Sequence, residues 1–584
     1  MHPFLCLRNK LLLFTTFAVL GQSLSQPVHE TGFAKRNASC QNGPDSRNCW
    51  SDGFDINTNY YEEWPSTGNT VTYDLTLTET PCNPDGHGSK TCQLVNGQYP
   101  GPTIRANWGD KIQVTVHNNL QVNGTSLHWH GVRQLGSNEM DGTNGVTECP
   151  LAAGDSKTYT FTATQYGTSW YHSHHTAQYG QGIVGAIVID GPATANYDED
   201  LGTLPLSDWY YSSIYDVLYT VMDVPGPLPP ADNVLVNGTM VDGDGNGQYQ
   251  KISVQPGKKY RLRIANTAMD HMFHVSLDGH PFTVIEADFV PIKPYQTTDL
   301  KINVGQRYDV IFEANQAANN YWLRVAPAAP GPQGPLCGFA AIYSKENAPV
   351  VGAIVSYDGA GDGLPTSTAY ANDGSCSDEV IDPWFITPMS GGYKIDALNV
   401  TFGAGQVVNW FINGSTMIAD WENPTLAFIR DQKPFTSSMN VVQMPEANSW
   451  YLWVIENALF PISPHPIHLH GHDFEILGSG EGPFPWGTDF FTGAKPQRRD
   501  VATLPGTSNG GWLLLGVYTN NPGAWLMHCH IGWHVSQGLS MQFVERQSEI
   551  LNTVGSLDDM TKGCSAWTAY WNSGDHGAKI DSGY

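Results

Sequence analysis

Short segments of alternating apolar and polar residues recur along the chain, which is the pattern of half-buried β-strands. Clear examples are Val71–Leu77, Lys111–His117, Lys157–Phe161 and Lys259–Ile264. Turn-forming sequences separate such segments, among them Asn96-Gly97, Pro100-Gly101-Pro102, Asn123-Gly124, Asn237-Gly238 and Asn413-Gly414. Short strands at this spacing predict an all-β protein built from Greek-key sandwiches or barrels.

A two-part histidine pattern occurs twice. His-Trp-His-Gly at 128–131 precedes Trp-Tyr-His-Ser-His at 170–174, and His-Leu-His-Gly at 468–471 precedes Trp-Leu-Met-His-Cys-His at 525–530. A middle block carries His271, His274 and His280 without such a pair. We therefore predict three related domains, at 37–195, 196–370 and 371–584, with metal sites only in the outer two. Candidate linkers are the Gly/Pro-rich stretch 191–200 and the Gly/Ser/Asp-rich stretch 358–378.

The amino-terminal residues predict export. Arg8 and Lys10 precede the apolar run Leu11–Leu20, which is too short to span a bilayer. Residues 1–25 are thus typical of a secretory signal peptide, the alternative being a short buried helix. Lys35-Arg36 would end a propeptide at 26–36. We expect a secreted protein with no membrane partner, and five Asn-X-Ser/Thr sequons agree: Asn37, Asn123, Asn237, Asn399 and Asn413.

Composition narrows the function classes. With 40% hydrophobic and 14% charged residues, the 584-residue chain is globular and too long for one core. A net charge of −26 repels phosphate backbones, so nucleic acid is not expected as a partner. Of the ten cysteines, Cys6 lies in the signal peptide, which leaves an odd number where disulfides form. One cysteine therefore has another role.

The histidine pairs predict a metal site. Both imidazoles of a His-X-His pair lie on one side of a strand, because side chains alternate between its faces. One such pair is usually incidental. Four pairs among 20 histidines, arranged as two repeats, indicate a borderline metal such as copper or zinc. The pairs are His128/His130, His172/His174, His468/His470 and His528/His530.

Cys529 favours copper. It lies between His528 and His530, so its sulfur points away from their rings. His465 and His534 are placed to join it, and two imidazoles with one thiolate form the trigonal set of a blue-copper centre. The alternative is a buried structural thiol.

At these residues the chain resembles the multicopper oxidases, and among them the laccases of filamentous ascomycetes. The matching signatures are His-Trp-His-Gly…Asp-Gly…Glu-Cys-Pro (128–150), Gly-Thr-Ser-Trp-Tyr-His-Ser-His (167–174), His-Pro-Ile-His-Leu-His-Gly-His (465–472) and His-Cys-His-Ile-Gly-Trp-His (528–534). The resemblance implies three tandem cupredoxin-like domains and four copper ions, of which one is type 1, one type 2 and two type 3. The type 2 and type 3 ions would form a trinuclear cluster between the outer domains.

The resemblance also implies ligands. His465, Cys529 and His534 match the type 1 ligands, and His128 and His468 match the type 2 pair. The type 3 ligands would be His130, His172, His174, His470, His528 and His530. Leu539 falls at the axial type 1 position, where it cannot coordinate, whereas the spacing of Met541 fits core packing. His175 and His472 match no ligand position.

The implied activity is that of a laccase. A phenol would give one electron to the type 1 copper, and Cys529 would pass it through the backbone to His528 and His530 at the cluster. After four such transfers O2 is reduced to two waters. Asp270 would receive the phenolic proton beside an exposed His534, and Asp141 would manage protons near the cluster. The alternatives are a solvated loop acid for Asp270 and a turn residue for Asp141. The partners would be small phenols and O2, and the protein a monomer.

The final residues, Asp-Ser-Gly-Tyr (581–584), match the tail that plugs the channel to the cluster in those laccases, with tyrosine in place of an aliphatic residue. A frayed end is the alternative. We read Cys82/Cys92 as an extra local disulfide and expect three other pairings, Cys40–Cys49, Cys149–Cys564 and Cys337–Cys376.

Two other functions stay open. A multicopper oxidase dedicated to phenol coupling in pigment or polyketide biosynthesis would have the same copper sites and a different pocket. A non-enzymatic copper-binding glycoprotein would not need the Cys529 site coupled to eight further histidines. Oxidation of Fe(II) is disfavoured, since no membrane anchor or distinct acidic iron site is evident.

Overall fold

The computed structural model describes residues 40–51, 53–223, 229–328, 349–371, 374–387, 389–404, 407–457, 464–574, 576 and 579–584. The predicted signal peptide, propeptide and Asn37 lie outside them. The described strands form six sheets, two to a domain, which confirms an all-β fold of three domains. Within the described residues, every helix is too short or too polar to span a bilayer.

The first domain consists of two four-stranded sheets, β2-β1-β4-β6 and β3-β8-β7-β5. Their strands are β1 (Thr70–Cys82), β2 (Lys90–Val95), β3 (Gly101–Asn107), β4 (Lys111–Asn118), β5 (Leu127–Trp129), β6 (Ser156–Thr162), β7 (Gly167–Ser173) and β8 (Val184–Asp190).

The second domain pairs a six-stranded sheet, β10-β9-β12-β17-β14-β15, with a five-stranded sheet, β11-β19-β18-β13-β16. The strands are β9 (Glu199–Trp209), β10 (Asn233–Val236), β11 (Lys251–Val254), β12 (Lys259–Asn266), β13 (Phe273–Leu277), β14 (Phe282–Ala287), β15 (Val290–Thr297), β16 (Leu300–Ile302), β17 (Arg307–Glu313), β18 (Asn320–Pro327) and β19 (Gly352–Tyr357). Helix α1 (Ile214–Asp223) follows β9 and buries its apolar face.

The third domain repeats this plan, with sheets β21-β20-β23-β28-β25-β26 and β22-β30-β29-β24-β27. The strands are β20 (Tyr393–Ala404), β21 (Val408–Ile412), β22 (Val441–Met444), β23 (Trp450–Asn457), β24 (His465–Leu469), β25 (Phe474–Glu481), β26 (Gln497–Arg499), β27 (Val501–Leu504), β28 (Gly511–Tyr518), β29 (Gly523–Cys529) and β30 (Ser540–Glu545). Its helices are α2 (Thr425–Arg430), α3 (Gly532–Ser536), α4 (Gln547–Thr553) and α5 (Asp558–Trp571).

The domains share one topology. Each has one parallel strand pair in each sheet: β1–β4 and β3–β8 in the first, β9–β12 and β11–β19 in the second, and β20–β23 and β22–β30 in the third. This repetition extends to the middle domain, where the histidine pattern is missing. Asn96, Asn237 and Asn413 each adopt a positive φ, as three of the predicted asparagine–glycine turns require. The predicted turn at Asn123-Gly124 is wrong, because neither residue has a positive φ and the segment forms no turn.

The predicted alternation holds in β4, where every second residue is buried. It is wrong for β12, which is buried at every position after Lys259. The reason is that β12 lies inside its sheet and also faces the first domain, where Arg263 donates to Thr168 Oγ1 of β7 at 2.9 Å. Its two arginines are satisfied by ion pairs with Asp309 rather than by water.

Three predicted disulfides are present, Cys40–Cys49, Cys82–Cys92 and Cys149–Cys564. The last ties α5 to the first domain. Cys337, the predicted partner of Cys376, lies outside the described residues. Among those described, Cys529 is the free cysteine, and it is buried.

Candidate metal centre

Four strands carry the histidine pairs. His128 lies on β5 and His172 on β7, and the two residues face each other across the ladder between these strands. His468 on β24 and His528 on β29 are paired in the same way. Directly opposed residues in antiparallel strands lie about 4.5–5.5 Å apart, so each domain presents two pairs as one patch.

The two patches meet between the first and third domains. The rings of His128 and His470 stack at 3.8 Å, as do those of His130 and His468. His130 Nδ1 lies 3.2 Å from His530 Nε2, and His470 Nε2 lies 3.3 Å from His528 Nε2. Groups such as His174/His470/His528 and His128/His468/His470 bring their ligand atoms within 4.8 Å of one another. All eight predicted cluster histidines are therefore in one place, and each is 3 % exposed or less.

The protonation state of the cluster histidines favours metal binding. Burial, followed by repulsion from neighbouring imidazoles, lowers the pKa of His130, His470 and His530 well below the usual value. Neutral imidazoles keep a lone pair for coordination. His128 and His468 donate their Nδ1–H to the carbonyl oxygens of Asp141 and Asp500, at 2.9 and 2.8 Å. This directs Nε2 inward, and no described residue hydrogen-bonds to either Nε2.

A second group lies on the other face of β29. Cys529 Sγ is 3.6 Å from His465 Nδ1 and 3.5 Å from His534 Nδ1, and the two nitrogens are 3.1 Å apart. Burial raises the pKa of the Cys529 thiol, and the Asp270 carboxylate adds to the effect. A thiol in this setting loses its proton only to a bound cation, so the donor set fits a metal, and its two imidazoles and one sulfur fit copper.

The backbone of Leu539 is hydrogen-bonded to two residues of the Cys529 group. Its carbonyl accepts from Cys529 N at 3.1 Å, and its amide donates to the carbonyl of His534 at 3.0 Å. The side chain is buried and aliphatic and offers no metal-ligand atom, and its axial placement stays a prediction. Met541 instead pairs with Met527 in the β29–β30 ladder and belongs to the apolar core.

Asp141 contacts the cluster directly. Its Oδ2 accepts from His470 Nδ1 at 2.8 Å and from Thr143 Oγ1 at 2.7 Å, and its Oδ1 lies 3.4 Å from His128 Nδ1. Asp141 therefore orients one predicted ligand from each outer domain. It is more than the turn residue of the alternative reading.

Sequence reasoning missed a second carboxylate and the contribution of the middle domain. Asp500 lies 3.4 Å from His130 Nε2 and forms two 2.6 Å hydrogen bonds with Arg307 of β17. Burial raises the pKa of Asp500 to about 7, and the Arg307 guanidinium opposes that rise. The run Arg498-Arg499-Asp500 beside an apolar strand was the one available signal. Arg307 is distant in sequence, and no spacing connects it to the histidines.

Gly305, just before β17, lies against the histidine cluster on the side of the middle domain. It has φ +84°, and a Cβ there would lie 2.9 Å from His530 Cδ2 and 3.2 Å from His130 Cε1.

We predict that Gly305→Ala displaces both rings and weakens metal binding at the cluster about 10–100-fold, while the Cys529 site keeps its ion. Metal analysis with absorption spectroscopy measures the metal content of the cluster and of the Cys529 site. Gly257→Ala is the matched control, because Gly257 has φ +81° with open space around it, and equal metal loss in both variants would contradict the steric argument.

Asp270 lies on a loop docked against α3. Asp208 accepts hydrogen bonds from the amides of Met269 and Asp270, at 2.7 and 2.9 Å, and from His271 Nδ1 at 2.9 Å. The Met269 carbonyl accepts a hydrogen bond at 2.7 Å from the amide of Gly532, which lies two residues before His534.

The expected exposure of His534 is wrong: its side chain is 2 % exposed rather than open to solvent. Its helix turn is buried along its whole length, and Trp410 lies against its ring at 4.8 Å.

The remaining predicted residues lie around these sites. His175 accepts from Asn144 Nδ2 at 3.0 Å and His472 donates to Glu545 at 2.9 Å, and neither joins a metal-binding group among the described residues. Residues 581–584 are buried rather than frayed. Ser582 bonds to Ser536 and Ala419, and the Tyr584 ring lies 6.1 Å from that of His174.

Comparisons with known proteins agree with this geometry. Three models of the multicopper oxidase family match residues 76–194, 200–359 and 412–549. A laccase of Cryphonectria parasitica is 45% identical over 93% of this chain and 94% of its own length. A laccase of Neurospora crassa is 45% identical over 93% of this chain and 89% of its own.

Solved structures of related proteins have the same fold as this chain. The crystal structure of a laccase from Botrytis aclada superposes with a TM-score of 0.86 at 41% identity, covering 94% of this chain and all of the other. Fet3p, a multicopper oxidase that functions in iron import, superposes with a TM-score of 0.76 at 27% identity, covering 88% and 98%. On its two copper-type donor sets, its three matched domains and these relatives, the chain belongs to the multicopper oxidase family.

Proposed function

We propose that this chain is a secreted laccase, which oxidises phenols one electron at a time and reduces O2 to water. The supporting observation is the position of Cys529. Its sulfur lies with His465 and His534, while its chain neighbours His528 and His530 reach the eight-histidine cluster. One strand thus joins a site for a one-electron donor to a separate site for a four-electron acceptor. The laccase names of relatives at 42–46% identity support the same activity.

Four copper ions fit the donor sets. His465, Cys529 and His534 would hold the type 1 ion, and His128 and His468 the type 2 ion. The six remaining cluster histidines would hold the type 3 pair: His130, His172, His174, His470, His528 and His530. When bound, copper supplies the one-electron redox chemistry and the reduction of O2.

The protein's own groups handle the protons. Each phenol that loses an electron also loses a proton, and the Asp270 carboxylate oxygen is the proposed acceptor. Four electrons and four protons convert one O2 to two waters. Asp141, bonded to His470, holds that ligand in place and is the proposed route for protons towards the cluster.

The test is turnover of the copper-loaded protein on simple phenols and on biosynthetic diphenols, with O2 consumption recorded. We expect broad activity on simple phenols and four substrate oxidations for each O2. Activity confined to one diphenol would favour a dedicated phenol-coupling enzyme, and copper binding without turnover would favour a copper-binding glycoprotein.

Leu539→Met tests the axial position. We predict that its thioether lowers the type 1 redox potential and slows oxidation of poorly reducing phenols. A fall of about 59 mV would reduce the one-electron transfer equilibrium ten-fold. Redox titration of the blue absorption measures the potential. Leu539→Ile is the control, because it stays aliphatic and should leave the potential nearly unchanged. An unchanged potential in a fully loaded Leu539→Met protein would mean that another residue occupies the axial site.

A further inference from the structure

Trp410 lies against both imidazoles of the Cys529 group. The centre of a ring of Trp410 is 4.7 Å from the ring of His465 at an interplanar angle of 82°, and 4.8 Å from that of His534 at 55°. Rings at these distances are in direct contact, and the first pair has the favourable edge-to-face arrangement. Trp410 is 1 % exposed. One buried side chain therefore contacts two of the three predicted type 1 ligands, which lie on β24 and α3.

His465 depends on packing for its orientation. A metal-binding histidine usually fixes its ring by donating its second N–H to a carbonyl or carboxylate oxygen, as His128 and His468 do in the cluster. His465 Nε2 is buried, and no described residue hydrogen-bonds to it. Among the described aromatic rings, those of Trp410 and His534 contact His465. Contact with Trp410 can therefore hold the ring where a hydrogen bond does not.

Gln537 holds Trp410 at two points. The side-chain Oε1 of Gln537 accepts from Trp410 Nε1 at 3.0 Å, and its backbone carbonyl accepts from the Trp410 amide at 2.9 Å. Trp410 lies on β21, an edge strand of its sheet, and the second bond gives its amide an acceptor there. The indole can therefore neither shift nor turn without breaking one of these bonds.

Gln537 is itself anchored to two domains. It directly follows α3, the helix that carries His534, and its amide donates to the Trp533 carbonyl at 3.0 Å. Its side-chain Nε2 donates to the Val221 carbonyl of α1, in the middle domain, at 3.1 Å. The side chain is buried and hydrogen-bonded at both ends, so it is held in one conformation.

We propose that Trp410, held by Gln537, is the positioning residue of the Cys529 site and maintains its trigonal geometry. The inference rests on the proposed function, since it takes His465, Cys529 and His534 to be the type 1 copper ligands. Cu(II) prefers tetragonal surroundings, so a trigonal site that cannot relax towards them disfavours the oxidised ion. Fixed imidazoles therefore raise the potential at which this site accepts an electron from a phenol.

Trp410→Leu tests the contact in the copper-loaded protein. Without the indole both imidazoles can move, so we expect the blue absorption to weaken and the type 1 potential to fall. We expect the one-electron equilibrium to change at least ten-fold, which corresponds to about 59 mV, and redox titration of the blue absorption measures it. Trp410→Phe keeps a ring beside the imidazoles and should show a smaller fall. Trp450→Leu is the matched control, because Trp450 is also buried in the third domain but belongs to an apolar cluster without a metal ligand.

Gln537→Met tests the anchor without removing the indole. Methionine has a similar length, but it cannot form the side-chain bonds to Trp410 and Val221. The potential should therefore fall in the same direction as in Trp410→Leu, by a smaller amount. Added to Trp410→Leu, the Gln537→Met change should have little further effect, because Gln537 acts through the indole.

An unchanged potential in a fully loaded Trp410→Leu protein would overturn the proposal, as would an equal shift in Trp450→Leu. If Trp410→Leu does not load copper, an unchanged potential in Gln537→Met overturns it instead. Absence of blue colour from the unmodified copper-loaded protein is a different result, because it would refute the type 1 assignment and with it the proposed function.

Discussion

Replacing Cys529 with serine is expected to abolish both the blue absorption and the oxidation of phenols. The sulfur lies within 3.6 Å of a nitrogen on each of His465 and His534, inside a fully buried site. Serine fits the space, but its hydroxyl is a far weaker ligand for copper than a thiolate. It also removes the sulfur from the proposed electron route along β29 to His528 and His530. Turnover should therefore fall to the uncatalysed level, which absorption spectra and O2 consumption measure.

Two comparisons make this result specific. The eight-histidine cluster should keep its metal in Cys529→Ser, so metal analysis should show loss of about one ion rather than all of them. Met541→Leu changes another buried sulfur residue on the neighbouring strand, and it should leave colour and turnover intact. A blue Cys529→Ser protein would refute the assignment of this cysteine.

The parts of the centre that could be predicted are those encoded locally. His-X-His on a strand directs both rings to one face, and the residue between them points to the other. That rule alone separates the environment of Cys529 from that of His528 and His530. The asparagine–glycine turns at Asn96, Asn237 and Asn413 and the one-sided burial of β4 follow from equally local chemistry.

What could not be predicted depends on which surfaces the folded domains bring together. Arg307 reaches Asp500 only because the middle domain packs against the third. The complete burial of β12 has the same origin, since its outer face lies against β7 rather than water. The burial of His534 likewise depends on Trp410, which is distant in sequence. Short-range periodicity cannot report contacts between segments so far apart.

Asp270→Asn should lower phenol turnover by about 10²–10⁴-fold, the usual contribution of a positioned general base. The loop that carries Asp270 is held by Asp208 and is tied to α3 through the Met269 carbonyl. Its charge acts on the neighbouring Cys529 site, where it helps to raise the pKa of the thiol after burial itself. The asparagine keeps nearly the same shape but cannot take up the phenolic proton.

The pattern across donors distinguishes a proton acceptor from a structural acid. A one-electron donor without a proton to lose, such as ferrocyanide, should be oxidised by Asp270→Asn at nearly the unmodified rate, because the copper ligands are untouched. The pH optimum for phenols should move upward, towards pH values where the phenol ionises without help. Asp208→Asn is the contrasting variant: Asp208 accepts three hydrogen bonds that hold the loop, so its loss should disturb both donor types together. If Asp270→Asn also slows both donors equally, Asp270 supports the loop and the phenolic proton leaves by another route.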